Sequence, residues 1–433
     1  MSEKAPDRAA TTGAAAERPR IRLYLMVIFL VAIAVRLAAA QWAAGGLNRE
    51  LTGDEPDYVT RALSLVEGRG LADADGRPSS NRAPGMPIVL ALFFSFAGRN
   101  IVWARVLMCV LGALLVPVCY LLGRTLAGRR AGLMCALGAM AFPNWVRYSG
   151  DLLTDLLSAT TTALLAWALV DGWRRNSLPW FALAGFIGGA GVLFRSTGLA
   201  LLPGIVLWVF LVVPGRRRRF AASVLVCAGL ACVLAPWAIR NTLVQGEFVP
   251  ISTQGGIELY IANNPRATGI LTHDFRLFRE ELSKVHPRDR FSNEAQRSKR
   301  YQGDAVAFIR ENPDRFLRLC AVRLGQFWKV YSPRVPLWQS LLTIGSLGLA
   351  LPFALLHVVR YGWRRGPAML FVILIASQSG VHAVFTSVIR YRIPIEPLVL
   401  ALAAAGFTWL LDRRKPAPVE AAQGRASPGD CHR

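Results

Sequence analysis

Acidic side chains gather in one short segment near the start of this chain, where Asp54, Glu55, Asp57 and Glu67 lie close together. The chain as a whole is basic, with 27 Asp and Glu against 50 Lys and Arg, so this segment departs from the general bias. A carboxylate held beside a hydroxyl group can remove its proton as a general base. The segment is therefore the first candidate for catalytic chemistry.

Asp54 has a structural interpretation as well. Asp54 followed by Glu55, Pro56 and Asp57 predicts a helix start, because this order supplies an acid at the N-cap, proline in the first turn and acids that the helix dipole favours. Adjacent helical residues point in different directions, so one of them can cap the helix while its neighbour faces a site. From the sequence, capping and catalysis are both open for this pair.

Isolated arginines form a second group of residues whose type suits substrate binding. Each occurs alone or nearly so within apolar or aromatic sequence, where an ionised side chain costs about 2.5–3.5 kcal/mol at the centre of a membrane helix. Guanidinium groups make forked, charge-assisted hydrogen bonds to phosphate, so the set predicts binding of an anionic lipid. For any single member, snorkelling to headgroups or pairing with Asp151 or Asp155 is the alternative. The arginines concerned are Arg36, Arg82, Arg105, Arg147, Arg195, Arg240, Arg390 and Arg392.

Together, the acids and the arginines suit chemistry on a sugar that is linked to a lipid phosphate. A phosphate leaving group is already a weak base, so its departure needs charge neutralisation more than a proton. One carboxylate then suffices, as the general base on the acceptor hydroxyl. Glycoside hydrolysis, by contrast, needs an acid as well as a base or a nucleophile.

The elements that must position these residues are apolar helices. The sequence is 53% hydrophobic with a mean hydropathy of +0.37, and its apolar residues come in long runs, which is typical of a polytopic membrane protein. The formal charge of +23 does not indicate a partner nucleic acid, because the basic clusters punctuate the apolar runs instead of lining a soluble face. We therefore expect an all-α membrane protein.

The apolar runs predict about ten membrane crossings, since a spanning helix needs roughly 20 apolar residues. Arginines precede the first run, 23–42, which places both termini in the cytoplasm and the acidic loop outside by the positive-inside rule. The run 86–98 is too short to span and predicts an interfacial or re-entrant helix. The other spans are expected at 101–126, 131–146, 156–170, 178–194, 199–213, 220–236, 337–356, 368–385 and 393–411.

The longest hydrophilic stretch predicts a small external α/β domain. Residues 248–269 have short β-like runs broken by glycines and an Asn-Asn-Pro turn, and 298–331 predicts an amphipathic helix interrupted at Asn312-Pro313. That helix lies either along the outer membrane surface or as a lid on the bundle. The expected divisions are a disordered cytoplasmic tail at 1–20, a transmembrane module at 21–236 with its first external loop at 43–100, the external domain at 237–333, C-terminal helices at 334–412 and a cytoplasmic tail at 413–433.

Six segments, taken in this order and topology, resemble glycosyltransferase family 39. They are GDEPDY from Gly53, NRAPGMP from Asn81, YSGDLLTD from Tyr148, LFRSTG from Leu193, APWAIRN from Ala235 and RYRIP from Arg390. The family comprises the dolichyl-phosphate-mannose protein mannosyltransferases, and related aminoarabinose transferases modify lipid A. The resemblance implies a GT-C fold with interfacial helices in the first external loop, in a bacterial inner membrane.

The same resemblance implies an inverting transfer of a sugar from a polyprenyl-phosphate donor to an acceptor on the periplasmic or outer face. It makes Asp54 the base, with Glu55 as its neighbour in the catalytic pair, and it carries phosphate contacts to Arg82 and a matching basic position to Arg195. Placement at the outer ends of spans adds further arginines to the phosphate side. The expected substrate-binding residues are Tyr58, Arg82, Asp155, Arg195, Arg240, Arg390 and Arg392.

The acceptor stays open between lipid A, a glycan, another lipid and a protein. Yeast-type relatives carry a large β-trefoil domain, and no segment here is long enough for one, so a protein acceptor is not implied. Relatives often have Glu at the position of Asp155. No cofactor is expected, since the resemblance does not require a divalent metal and His273, Asp274 and His286 lack the spacing of ligands. Some GT-C enzymes use a divalent ion, so a metal stays open as the alternative.

Two other functions compete with transfer. A transporter or flippase of polyprenyl-linked glycans would also present arginines outside, but it predicts polar residues along the middle of the helices, and those positions are nearly all apolar. A non-catalytic assembly subunit predicts that Asp54→Asn leaves the cellular phenotype intact.

Overall fold

The computed structural model describes residues 8–42, 45–271, 284–287, 290–331, 337–362 and 366–413. These residues contain no β-strand, and one isolated bridge pairs Ala72 with Pro78. The α-helices are α1 (Arg8–Trp42), α2 (Glu55–Val66), α3 (Gly85–Ala97), α4 (Ile101–Ala113), α5 (Leu115–Ala141), α6 (Pro143–Arg147), α7 (Asp155–Arg174), α8 (Leu178–Phe194), α9 (Leu201–Val212), α10 (Arg216–Gln245), α11 (Gln254–Ala262), α12 (Glu294–Glu311), α13 (Pro313–Trp328), α14 (Leu337–Thr343), α15 (Leu349–His357), α16 (Pro367–Val384) and α17 (Glu396–Arg413). Two 3-10 turns, Ser196–Ala200 and Ile389–Ile395, and two π turns, Ile344–Gly348 and Val358–Gly362, join some of them.

Seven helical stretches within the described residues are long and apolar enough to cross a membrane. The chain is therefore a multi-pass, all-α membrane protein, as its composition predicts. Shorter apolar helices accompany them at Gly85–Ala97, Leu178–Phe194 and Ser196–Val212, and the count of about ten crossings stays a prediction. The seven stretches are Arg20–Trp42, Ile101–Ala141, Asp155–Arg174, Arg216–Gln245, Ser340–Gly362, Pro367–Val384 and Ile389–Arg413.

One of these stretches reverses direction within α5. Ala127 and Gly128 leave the helical conformation, and Gly128 has φ 78°, a left-handed value that glycine adopts without steric cost. The two halves then lie side by side, since a Cβ at Gly123 would be 2.6 Å from the carbonyl oxygen of Ala131. The reversal agrees with the two separate runs read from the sequence on either side of this point.

Small residues let the helices approach each other closely. A Cβ at Gly185 of α8 would lie 2.2 Å from the carbonyl oxygen of Val226, and one at Gly229 of α10 would lie 2.5 Å from that of Ala182. Such contacts are how membrane helices gain packing energy where lipid removes the hydrophobic driving force. Glycine at these positions thus fixes the α8–α10 pair, whose ends carry residues of the candidate site.

The loops between helices meet at two ends of the bundle. At one end Arg130 Nη1 donates to Asp412 Oδ1 at 3.0 Å, and Trp173 Nε1 donates to the Val212 carbonyl at 3.2 Å. At the other end, the turn before α2, the segment before α3, the start of α7, the end of α8 and the 3-10 turn before α17 come together. We call this the site end.

The expected β-like runs at 248–269 are wrong, because part of that stretch forms α11. Gly256 of this helix serves packing: a Cβ there would lie 2.0 Å from the Ser298 carbonyl oxygen, so the backbones of α11 and α12 are in contact at this point. The boundary expected at 236 also falls inside a helix, since α10 passes through Pro236 and ends at Gln245. Tertiary packing outweighed the local turn signals in both places.

The interrupted amphipathic helix is found as α12 and α13, separated at Asn312. α13 packs on the bundle, because Arg323 donates to the carbonyl oxygens of Ala383 at 2.6 Å and Ala262 at 2.5 Å. Its buried side carries Leu319, Arg323 and Phe327. The tail residues 414–433, most of the tail 1–20 and the His273-Asp274 pair lie outside the described residues or have no described side chains.

Candidate active site

Asp54 stands at the N-cap of α2, in the turn that follows α1. The helix begins at Glu55 with proline in its first turn, as expected, but the Asp54 side chain makes no capping hydrogen bond. Its Oδ1 accepts instead from Arg82 Nη2 at 2.7 Å, and its Oδ2 accepts from Arg390 Nη2 at 3.1 Å. Capping alone therefore does not explain Asp54, which joins segments far apart in the sequence.

Asp57, one turn into α2, holds the other edge of Arg82. Its Oδ2 accepts from Arg82 Nε at 2.8 Å, and its Oδ1 accepts from Arg61 Nε at 3.0 Å. Arg61 lies four residues further along the same helix face, the spacing at which an acid and a base pair on a helix. Asp54 and Asp57, both between α1 and α3 in the chain, thus bind Arg82 from two sides.

Asp155 forms the third part of the cluster from the first turn of α7. Its Oδ1 accepts from Arg195 Nη1 at 2.7 Å, and its Oδ2 lies 3.5 Å from Arg390 Nε. Arg195 is the C-cap residue of α8. The side chain of Asp155 is only 2% exposed, and its charge sits at a helix N-terminus, where the helix dipole stabilises it.

Two tyrosines cover the arginines. The Arg82 guanidinium carbon lies 5.5 Å from the centre of the Tyr58 ring, and the Tyr391 ring centre lies 4.3 Å from Arg195 and 5.7 Å from Arg390. Cations over aromatic faces gain electrostatic attraction and lose contact with water. Burial raises the pKa of Tyr58, so its hydroxyl is neutral at physiological pH.

The electrostatics of this group, which we call the Asp54 cluster, favour an anionic ligand. The cluster contains four arginines and three aspartates, so one positive charge has no matching carboxylate within it. Burial raises the pKa of Asp54, but the charges of Arg82 and Arg390 outweigh burial and lower that pKa to about 2. Asp54 is consequently ionised at neutral pH. The members of the cluster are Asp54, Asp57, Arg61, Arg82, Asp155, Arg195 and Arg390.

Glu55 belongs to a different arrangement, although it follows Asp54 directly. Its carboxylate accepts from Arg49 at 2.9 and 3.0 Å and from Arg105 at 2.6 and 3.2 Å. The backbone amides of Thr52 and Leu152 donate to it at 2.9 Å each. Burial raises the pKa of Glu55, but the hydrogen bonds from these arginines lower it to about 2.

This second group, which we call the Glu55 cluster, joins the start of α2 to α4 and to the segment before α7. Arg49 Nη2 also donates to Asp151 Oδ1 at 2.6 Å, and Arg147 lies 3.8 Å from the same carboxylate. The side chains of Glu55 and Arg105 are each 1% exposed. A protein donor occupies every acceptor position of Glu55. Its carboxylate therefore has no free oxygen for a substrate and instead holds the neighbouring segments in place.

Three other arginines of the expected set donate to backbone carbonyls. Arg240 Nη1 donates to Ser79 O at 2.7 Å and its Nη2 to Leu71 O at 2.9 Å. Arg392 Nη1 donates to Phe327 O at 2.6 Å, and its Nε donates to Glu396 Oε1 at 3.1 Å. Arg36 likewise donates to carbonyl oxygens of α1 and α5. Arg240 and Arg392 therefore hold loops and helices through partners outside the Asp54 cluster.

The loop that leads to Arg82 is anchored by the start of α12. Glu294, at the start of α12, accepts from Ser79 Oγ at 2.7 Å and from the Ser80 amide at 2.7 Å. Sequence reasoning missed Glu294, because more than two hundred residues separate it from this loop. It also missed Asp57 and Arg61, although their helical spacing was a usable signal, and Tyr391, which lies between the two arginines of the RYRIP segment.

The cluster acids are not arranged as metal ligands. Within the described residues, no group of three or more His, Cys, Asp or Glu side chains could hold a metal ion, and the site acids are each bound by arginine. His286 Nε2 lies 2.6 Å from Asp304 Oδ2, and the ring packs against Tyr301. His286 thus has a local structural partner.

A family match accompanies this geometry. Residues 81–239 match the family described as dolichyl-phosphate-mannose-protein mannosyltransferase. The matched part contains Arg82, Asp155 and Arg195, whereas Asp54 and Arg390 lie on either side of it. The resemblance carried by the six sequence segments is confirmed over this part of the chain.

Solved structures share the architecture. The archaeal oligosaccharyltransferase AglB from Archaeoglobus fulgidus, in complex with an inhibitory peptide and a dolichol-phosphate, is similar over 90% of this chain and 50% of its own, with 14% identity and a TM-score of 0.61. An oligosaccharyltransferase of that organism with Zn and sulfate is similar over 90% and 51%, with 16% identity and a TM-score of 0.55. ArnT from Cupriavidus metallidurans, bound to undecaprenyl phosphate, matches over 90% and 78%, with 15% identity and a TM-score of 0.45.

The archaeal structures confirm the expected GT-C membrane fold. Their sequence identities to this chain are low, so the similarity concerns the fold alone. Among curated proteins, the chain is 30% identical over 171 residues to the genome polyprotein of Kyasanur forest disease virus, which is 37% of this chain and 4% of the polyprotein. Because the match covers so small a part of the polyprotein, it assigns no activity to this chain. The chain spans half the length of the archaeal enzyme.

Proposed function

We propose that this protein is a membrane glycosyltransferase that moves a sugar from a polyprenyl-phosphate donor to an acceptor hydroxyl, with inversion at the anomeric carbon. One observation carries the proposal: Asp54, an ionised base candidate, contacts Arg82 and Arg390 directly at 2.7 and 3.1 Å. A base and two phosphate-binding groups thus lie within one hydrogen bond of each other, as this reaction requires.

The chemistry needs one base and a neutralised leaving group. Asp54 takes the proton of the acceptor hydroxyl while the acceptor oxygen forms a bond to the anomeric carbon. The bond from that carbon to the phosphate oxygen breaks, and its electron pair leaves with polyprenyl phosphate. Arginines offset the negative charge that develops on the phosphate, and protonated Asp54 then returns its proton to solvent.

Arg82, Arg195 and Arg390 are the proposed phosphate ligands. Their guanidinium groups surround Asp54 and Asp155, and the cluster carries one unmatched positive charge. Tyr58 and Tyr391 supply flat, apolar faces beside the guanidinium groups. The archaeal structure with dolichol-phosphate supports a polyprenyl-phosphate carrier on this fold.

Glu55, Arg240 and Arg392 are better placed to hold the site than to touch substrate. Glu55 has all its acceptor positions filled by protein donors. The guanidinium of Arg240 donates hydrogen bonds to carbonyl oxygens of the loop before Arg82. That of Arg392 is fully buried against α13 and α17. We assign the three to positioning within the proposed enzyme.

The active site is proposed to face the periplasm or the exterior of a bacterial inner membrane, with both termini in the cytoplasm. The basic clusters support that orientation, because they lie at the end of the bundle opposite the site end. The acceptor stays open between lipid A, another lipid, a glycan and a protein. The archaeal complex contains an inhibitory peptide, which belongs to that enzyme.

The test supplies undecaprenyl-phosphate sugars one at a time, with a cell-envelope extract, to purified protein in nanodiscs and follows release of undecaprenyl phosphate. Wild type should turn over with at least one donor, and Asp54→Asn should lose about 100- to 10,000-fold of that rate. Glu67→Gln is the matched control, because Glu67 pairs with Arg69 and Arg99 of the same loop, away from the Asp54 cluster. Donor binding without turnover in wild type would favour transport or assembly instead.

A further inference from the structure

The atoms that Asp54 uses differ from those used by the other two aspartates of its cluster. Asp54 touches only the terminal Nη2 atoms of Arg82 and Arg390. The inner Nε atoms of the same two guanidinium groups face Asp57 at 2.8 Å and Asp155 at 3.5 Å. Arg82 is therefore held at its inner edge by a hydrogen bond to Asp57 and at its tip by Asp54, whereas the inner Nε of Arg390 lies within ion-pair distance of Asp155 but makes no hydrogen bond.

The inner partners are fixed more firmly than Asp54. Asp57 lies in α2 and has a second bond to Arg61. Asp155 is buried in the first turn of α7 and accepts a hydrogen bond from Arg195. Asp54 lies before the first residue of α2 and follows Gly53, whose φ of 61° marks a left-handed turn. Its side-chain bonds are to Arg82 and Arg390, and its exposure of 32% equals that of Asp57. Of the three acids, Asp54 is the one that can give up its arginines at the smallest structural cost.

A phosphate group and a carboxylate compete for the same nitrogen atoms. Both accept forked, charge-assisted hydrogen bonds from guanidinium tips. An incoming phosphate reaches the Nη atoms before it reaches the inner Nε atoms, because the inner edges are covered by Asp57 and Asp155. The group that it meets at the Nη2 atoms is the Asp54 carboxylate.

We propose that the donor phosphate displaces Asp54 from Arg82 and Arg390 while Asp57 and Asp155 keep the inner edges of these arginines in place, and that this exchange releases Asp54 to accept the acceptor proton. The inference rests on the proposed function and deepens it. It makes Asp57, through Arg82, a positioning residue for the donor site. It also makes donor binding the step that activates the base.

The exchange resolves a conflict between the low pKa of Asp54 and its role as a base. Burial raises the pKa of Asp54 and the two arginines lower it to about 2, and a carboxylate with so low a pKa is a weak base. The rings of Tyr58 and Tyr391 lie beside these arginines, and burial raises the pKa of Tyr58, so its hydroxyl carries no charge at neutral pH. Once phosphate neutralises the arginines, burial is left as the main influence, and it acts to raise the pKa of Asp54.

The first test measures binding of undecaprenyl phosphate, which needs no turnover. Wild type, Asp54→Asn, Asp57→Asn and the control Glu67→Gln are titrated in nanodiscs at pH 7. Asp54→Asn removes the competitor, so its dissociation constant should fall by about tenfold. Asp57→Asn removes the inner support of Arg82, so its dissociation constant should rise by about tenfold, and Asp57→Glu should recover part of the loss.

The exchange would be overturned if Asp54→Asn bound undecaprenyl phosphate with the same affinity as wild type or a lower one. This comparison requires that the unfolding temperature of the variant is unchanged. Absence of lipid binding in wild type would instead overturn the donor class and with it the proposed function. The two failures are thus distinguishable, and neither depends on knowing the acceptor.

A second test uses wild type alone and so does not depend on variants that fold. The acidic limb of kcat/KM reports the free enzyme and that of kcat reports the donor complex. The exchange predicts an acidic limb for kcat at least about one pH unit above that for kcat/KM. Coincident limbs would mean that Asp54 stays paired with its arginines in the complex, which contradicts the proposal.

Discussion

Asp54 and Glu55 are adjacent in the chain, yet they stand in two clusters of opposite design. Asp54 is 32% exposed and holds only the tips of its arginines. Glu55 is 1% exposed and accepts from two arginines and two backbone amides. A carboxylate whose acceptor positions are all filled fixes structure, whereas one that shares exchangeable donors can enter a reaction. Local environment, and not residue type, separates the two roles.

The largest effect on stability should come from the Glu55 cluster. Glu55→Gln leaves Arg105, which is 1% exposed, without a charged partner, and breaking a buried pair in this way costs about 3–5 kcal/mol. Thermal unfolding in detergent should therefore move to clearly lower temperature, while Asp54→Asn should unfold close to wild type. Equal unfolding temperatures for the two variants would abolish the distinction between the clusters.

A smaller effect, on donor affinity, should follow from Arg390→Lys. Lysine carries its charge on one compact ammonium, so it cannot keep contact with Asp155 and present a forked edge to phosphate at the same time. We expect KM for the donor to rise about tenfold, with a smaller change in kcat. The control is Arg69→Lys, whose side chain is exposed and pairs with Glu67. An unchanged KM would remove Arg390 from the donor site.

The smallest effect is a pH dependence of stability. The folded pKa values of Asp54 and Glu55 are both about 2, below the ordinary values of about 3.9 and 4.3. Acids with lowered pKa values contribute stability that is fully present above the unfolded pKa and is lost as pH falls through the folded pKa. Unfolding temperatures should thus stay level from pH 7 to about 5 and decline between about 4 and 2. Glu55→Gln should make that decline in unfolding temperature shallower. A decline as steep as that of wild type would contradict the prediction.

The sequence was informative where a local rule determines the outcome. Long apolar runs predicted the membrane helices, the Asp-Glu-Pro order predicted the start of α2, and Asn312-Pro313 predicted the break before α13. The grouping of Asp54 with Arg82 also followed from their placement in one loop between apolar runs. These features depend on neighbours in the chain, which a sequence displays directly.

The fates of the individual arginines were beyond such rules. Whether an arginine in apolar sequence meets a carboxylate, as Arg195 does, or carbonyl oxygens, as Arg240 and Arg392 do, depends on chain segments far away. Glu55 is a similar case, because its partner Arg105 lies in another helix. The glycines at 255 and 256 predicted a turn, whereas Gly256 instead allows close packing of α11 on α12.

The most direct test of the account compares turnover per folded molecule in Asp54→Asn and Glu55→Gln, measured side by side with a donor that wild type uses. The account predicts that Asp54→Asn is folded and loses about 100- to 10,000-fold of the rate. Glu55→Gln should lose folded protein but retain most of the rate in the molecules that remain folded. Turnover in folded Asp54→Asn equal to wild type, with loss of turnover in folded Glu55→Gln, would contradict the central claim and transfer the base to Glu55.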